Sequence, residues 1–213
     1  MLELWGRETS SNVQCVRWAL LELGVPFIRH DVGGEFGGLD SPDFRALTPV
    51  GKIPVIVDDG LPVFESAAIL RYLGARYGTD TFWPEDLETR TRVDVLAEWA
   101  KRDIADAFIG PVFWQVVRTP KARHDPALIR AGVDMFETGL AIAEAQLSRH
   151  DWLAGAHMTP GDLHLGHVLY RYYDIDIERR EFPALRAYYD RLTRRPAYAE
   201  AVMISYESLR DTV

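Results

Sequence analysis

A single cysteine stands among the 213 residues, so an internal disulfide is excluded and a reducing compartment is expected. No apolar run approaches the length of a bilayer span. The opening "MLELWGRETS" turns polar within six residues and lacks the apolar region of a secretory signal, which makes a cytoplasmic location the expectation. Basic residues are in the minority, 24 Lys and Arg against 32 Asp and Glu. The resulting formal charge of -8 argues against nucleic acid or an anionic membrane as partner, since both need clustered cations. Chemical signatures are also missing. There is no G-x-S-x-G. "GGEFGG" at 33–38 lacks the Lys-Ser/Thr of a P-loop and reads as a mobile loop, and "DIDIE" at 174–178 lacks the spacing of a calcium loop. What is present is ample core material, 47% hydrophobic against 26% charged, in a length that suits one large or two small soluble domains.

The first third alternates strand and helix signals. "LELW" and "FIRHDV" read as strands. Between them Val13, Val16, Leu20 and Leu23 recur at helical spacing up to a stop at Gly24. Strand, helix and strand in so few residues imply a parallel, right-handed crossover. "SPDFRALTP" predicts a short helix, and "IPVIVDDGLPVF" two strands joined by an Asp59-Gly60 hairpin turn. "ESAAILRYLGARYG" predicts the helix that closes this unit. After "TDTFWPEDLE" strand patterns vanish. Helices are expected at 88–109, with Pro111 kinking or breaking the chain before "VFWQVVR", then at 126–149, from Pro160, and around 183–194 and 197–209. The helix from Pro160 has a full start signal: Thr159 as N-cap, Asp162 at the capping-box position, and Met158 placed to staple to Leu163. The expected architecture is an α/β domain over 1–80, a linker at 81–87 and an all-α helical bundle over 88–213.

Three potential nucleophiles crowd "TSSNVQCVRW" at 9–18. Ser11 and Gln14 fit a capping box, a structural task. That leaves Ser10 just ahead of the helix, where unpaired N–H groups and the dipole favour an anion. Cys15, between Val13 and Val16, reads as packed and inert. Pro54 at the start of a strand is a candidate cis proline. Glu65 and Ser66 open a helix after a strand. Ser66 there can bind a carboxylate and Glu65 a nearby ammonium, against the plainer reading of a cap. His164 and His167 share a helix face, but further ligands are needed and Asp162 is poorly phased, so no metal site is expected.

The serine-bearing helix start, "TPVGKIPVIVDDG" and "ESAAILRYLGARYG", in that order and followed by the capped "TPGDLHLG", resemble the cytosolic glutathione transferases over nearly the whole chain. The resemblance implies a thioredoxin-like N-terminal domain, an all-α C-terminal domain and a homodimer. It implies an enzyme that takes glutathione as cosubstrate, without a separate cofactor, and transfers it to a small electrophilic or hydrophobic substrate. Ser10 matches the serine that faces the glutathione sulfur in theta-like and many bacterial members, and Asn12 an asparagine that contributes in related bacterial enzymes. Lys52 and Ile53 match glutathione-contacting positions beside the cis proline, Pro54. Glu65 and Ser66 match the residues that hold the γ-glutamyl end. Thr48 stands where the family usually has Asn, and no tyrosine occupies the first helix start, so the serine type is expected. Phe108, Trp114 and Arg118 are the expected wall of the electrophile site, although an aromatic stripe at that spacing suits a core equally well. Two other activities stay open: a glutathione-dependent disulfide reductase or peroxidase, and a binding scaffold without turnover.

Overall fold

The computed structural model describes residues 1–213. Its four-stranded sheet has the order β2-β1-β3-β4, with β1 Leu2–Trp5, β2 Phe27–His30, β3 Val55–Asp58 and β4 Leu61–Phe64. β1 and β2 are parallel and joined through α1, Ser11–Glu22, as the crossover reading requires. β3 runs antiparallel to both β1 and β4. The β3–β4 turn places Asp59 at φ +48° and Gly60 at φ +83°, the two left-handed positions that an Asp-Gly hairpin supplies. Asp58, buried at the end of β3, accepts hydrogen bonds from Tyr72 and Tyr77 at 2.7 and 2.6 Å. Those hydroxyls tie the sheet to α3, Ser66–Tyr77. The short α2, Pro42–Leu47, is capped by Ser41, whose Oγ accepts from the Phe44 N–H at 3.3 Å. "GGEFGG" holds a single 3₁₀ turn, Gly34–Phe36.

From Leu87 onward the chain is helical. α4, Leu87–Trp99, does not end near residue 109, and Pro111 does not break it. The rod continues through π-wound turns at Ala100–Ala105, one α-helical turn α5, Asp106–Phe108, and further π-wound turns at Ile109–Arg118. Proline has no N–H to donate and its ring crowds the preceding turn; a widened turn accommodates both while the chain keeps helical dihedrals. α6, Pro126–Leu147, α7, Pro160–Asp174, and α8, Pro183–Thr193, match their expected spans. α9 is shorter than expected, Pro196–Ala201. Arg17 donates to the Glu200 carbonyl at 2.9 Å, taking up an acceptor at the helix end. The chain then leaves the helix to bury Tyr206 against Phe113, ring centroids 5.2 Å apart.

One apolar core runs through both parts of the chain. α7 lies at its centre, with residues 160–169 all buried. Trp18 of α1 packs against α7 at Gly166, where a Cβ would fall 2.7 Å from the indole ring, so only glycine permits that approach. At the start of α7 the Thr159 N–H and hydroxyl donate to Asp162 Oδ2 at 2.8 and 3.0 Å, and the Leu153 N–H donates to Oδ1 at 2.9 Å. Glu22 of α1 and Arg195, just before α9, form a two-pronged ion pair at 2.6 and 2.7 Å. The N-terminal unit is thus anchored to the helices by packing and by charge.

Candidate glutathione site

The N-termini of α1 and α3 converge on one pocket of about 240 Å³. Asn12, Lys52, Ile53, Pro54, Glu65 and Ser66 all line it, six of the seven residues singled out for catalysis and glutathione binding. The Ile53–Pro54 bond is cis. Ser66 is buried at the first position of α3, and its hydroxyl donates toward Asn12 Oδ1 at 3.5 Å, linking the two helix starts. Ser10 stands outside the lining, half-buried at the N-cap of α1.

The capping-box reading of α1 needs correction. Ser10, not Ser11, is the N-cap: the Gln14 N–H donates to its carbonyl at 2.9 Å. Its side chain makes no capping bond, Ser11 is buried inside the first turn, and the Gln14 side chain donates instead to the Glu8 carbonyl at 3.1 Å. α3 likewise begins at Glu65 without a side-chain cap, whereas Ser41, Asp86 and Asp125 cap α2, α4 and α6. First-turn N–H groups left free of side-chain partners, at the positive end of two helix dipoles, suit anionic groups of a ligand. Glu65 holds φ +67°, a conformation that non-glycine residues adopt at a cost of about 1–3 kcal/mol and that recurs at binding sites. Lys52 and Lys101 add positive charge to the pocket; Glu65 and Asp106 add negative charge. The lining is therefore divided in sign, as a zwitterionic peptide requires.

Several contributors escaped the sequence. Lys101 and Asp106 line the pocket and form an ion pair with each other. Five residues apart, they do not share a face of an ordinary α-helix; the π-wound turn at Ala100–Ala105 brings them together. Arg171 of α7 is buried, donates to the Thr9 carbonyl at 2.7 Å, and lies 4.5 Å from the Phe113 ring centroid. It steadies the loop that presents Ser10. Desolvation lowers its pKa to about 10, with nearby Arg7 contributing.

Phe108 does not form part of an electrophile wall. It is fully buried, 4.9 Å from Phe136 and 6.1 Å from Tyr172 between ring centroids, because its position on the rod faces α6 and α7. Trp114 is exposed, with the Arg118 guanidinium 4.9 Å from its ring centroid, and neither lines the pocket. Cys15 is fully buried, and burial pushes its thiol up to about 12, so it supplies no thiolate for catalysis.

Comparison with known proteins settles the lineage. The N-terminal domain profile of glutathione S-transferases matches residues 9–76, and the C-terminal domain profile matches 105–196. Glutathione S-transferase GstB of Escherichia coli is 34% identical over 206 residues, covering 96% of this chain and 99% of its own. The chain belongs to the glutathione S-transferase family. A solved theta-class glutathione S-transferase from Xanthomonas axonopodis pv. citri, with glutathione bound, is 40% identical, covers 96% of this chain and 98% of its own, and superposes with a TM-score of 0.89. Its apo form is 35% identical, with a TM-score of 0.81 over 96% of this transferase and 97% of its own chain. The thioredoxin-like sheet followed by a helical domain is the shared architecture. No helix of this transferase is long and apolar enough to cross a membrane.

Proposed function

We propose that this transferase binds glutathione in the pocket between α1 and α3 and transfers its sulfur to a small hydrophobic electrophile. The observation that carries the reading is the convergence of two helix N-termini without side-chain caps on a pocket whose walls carry both charge signs. Ser66 and the start of α3 take the γ-glutamyl carboxylate, and Glu65 takes the ammonium. Lys52, Ile53 and Pro54 line the peptide portion, and Ser10 with Asn12 faces the sulfur. Residues 1–80 form the glutathione-binding unit, 88–213 supply the electrophile side, and 81–87 link them. Trp114 and Arg118 remain candidates for that side. The reading needs no cofactor besides the cosubstrate. The buried, thiol-protonated Cys15 disfavours a redox mechanism that runs through the chain's own cysteine.

Ser10 acts by lowering the pKa of the bound thiol. A thiol of pKa about 8.5 is only ~3% ionised at pH 7. A donated hydrogen bond and a helix N-terminus can lower the pKa by about one to two units, while nucleophilicity falls with a Brønsted slope near 0.45. Ser10→Ala should therefore cost about 3–10-fold in turnover at pH 6, reach parity near about pH 8 and turn over about 2–6-fold faster at pH 9. The melting temperature should hold, because the Ser10 hydroxyl caps nothing. Steady-state rates across pH 6–9, with melts alongside, test this. A loss that stays constant with pH would remove Ser10 from thiolate stabilisation.

The transferase should also be a homodimer. Leu61 on β4 and Leu87 and Val95 on α4 are exposed apolar side chains on the stretch expected to form the interface. Sedimentation equilibrium at micromolar concentration should give twice the chain mass; a 24.2 kDa species would contradict it.

A further inference from the structure

The sequence placed two histidines on one helix face and found no third ligand; the fold supplies it from the other unit. Cys15 of α1 meets His164 of α7, Sγ to Nδ1 at 3.6 Å, and one ligand atom from each of Cys15, His164 and His167 lies within 4.8 Å of the others. All three residues are buried, at 0%, 1% and 0% exposure. His167 Nδ1 is engaged with the Leu163 carbonyl at 2.9 Å, so that nitrogen carries the proton and Nε2 carries the lone pair. That Nε2 is fully buried and has no hydrogen-bond partner. An imidazole oriented by a carbonyl on one nitrogen and free on the other is how protein histidines are held toward a metal.

We propose that Cys15, His164 and His167 form a three-coordinate site for one monovalent, thiophilic d¹⁰ cation of the copper(I) type, at the seam between α1 and α7. A thiolate with two imidazoles is a soft donor set that suits Cu(I). The number of ligands and the thiol proton set the kind of ion. Of the cations nearby, Lys101 is paired with Asp106 and Arg71 with Asp94 and Glu98, so their charges are largely compensated. A divalent ion of the zinc type is almost always held by four ligands in a closed site, and three are gathered here. A monovalent ion exchanges with the thiol proton and leaves the site's charge unchanged: the S–H bond breaks, the S–Cu bond forms, the proton leaves to solvent, and no electron moves. Bonds of about 2.0–2.3 Å to N and S in a trigonal arrangement put ligand atoms about 3.7 Å apart. The Cys15–His164 separation already matches, and the widest separation closes by about 1 Å through side-chain rotation. The bound ion would link α1 to α7 behind the pocket that Asn12 and Lys101 line.

The test is an anaerobic competition in which the transferase withdraws Cu(I) from its bicinchoninate complex, with glutathione left out because its thiol competes. Loading is done on the native protein and by refolding with the ion present, so slow entry does not mimic absence of a site. One Cu(I) per chain, one proton released, a sulfur-to-copper absorption band and a raised melting temperature are expected. Cys15→Ser and His167→Leu should each lose the binding. Copper-edge X-ray absorption on the wild-type protein keeps the result decisive should a variant misfold: one sulfur and two nitrogens are expected. No withdrawal of copper by either route, equal withdrawal by a folded Cys15→Ser protein, or a copper shell without sulfur would overturn the site.

Discussion

Ser66→Ala should weaken glutathione binding by about 1–3 kcal/mol, roughly 5- to 150-fold in Kd, while leaving the fold intact. The hydroxyl sits buried at the first position of α3, its nearest partner being Asn12 Oδ1 at the long distance of 3.5 Å. It is therefore free to turn to a carboxylate, where the acceptor is charged and the helix dipole adds to the attraction. Removing it takes away one charge-assisted bond but not the backbone N–H groups of the first turn, which is why binding should weaken rather than vanish. Isothermal calorimetry with glutathione reads the difference, with Ser11→Ala as comparison. Ser11 is buried on the other converging helix but does not line the pocket, so its replacement should leave Kd nearly unchanged. An unaltered Kd in Ser66→Ala would place the γ-glutamyl end elsewhere.

A larger loss, in stability rather than binding, is expected at Asp162. Its carboxylate accepts from the Leu153 N–H, from the Thr159 N–H and hydroxyl, and from the Tyr188 hydroxyl at 3.2 Å, all inside the core. Asparagine has nearly the same shape, but one of its two polar atoms is a donor. The donors that meet Oδ1 or those that meet Oδ2 would then face an NH₂ group and lose their partner. Buried donors left unsatisfied cost about 1–3 kcal/mol each, so Asp162→Asn should lose about 2–4 kcal/mol. For a chain of this length that is a fall in Tm of roughly 5–15 °C. Differential scanning calorimetry measures it. Thr159→Val, which keeps the N–H and removes only the hydroxyl, should lose less. A Tm for Asp162→Asn within a degree of wild type would mean that the capping network contributes little, and that α7 is held by its apolar contacts alone.

Much of the molecule could be read from local signals because their physics is local. Asp59-Gly60 needs two left-handed residues and nothing else. Thr159 and Asp162 need only each other and the first turn of α7. The strands and most helix spans follow from patterns of this reach, and Pro54, Glu65 and Ser66 stand out at the starts of a strand and a helix; Asn12, Lys52 and Ile53 were implied only by the resemblance to the glutathione transferases. The capping of α1 was misread because two adjacent serines offer the same side chain in consecutive registers, and the register depends on how the loop before α1 is held. Arg171, 162 residues away, takes part in holding it by bonding the Thr9 carbonyl.

Tertiary structure decided the rest. Whether Pro111 breaks a helix depends on π-winding, which no residue pattern signals, and the same winding pairs Lys101 with Asp106 in the pocket. Whether Phe108 lines a site or fills a core depends on which face of the rod meets α6 and α7. The sequence determined that His164 and His167 share a face; only the docking of α1 against α7 could bring Cys15 to them from 149 residues away. Spacing along the chain fixes what neighbours within a helix or hairpin can do. Contacts across such separations depend on how whole elements pack, and that is set by the summed burial of many side chains rather than by any motif.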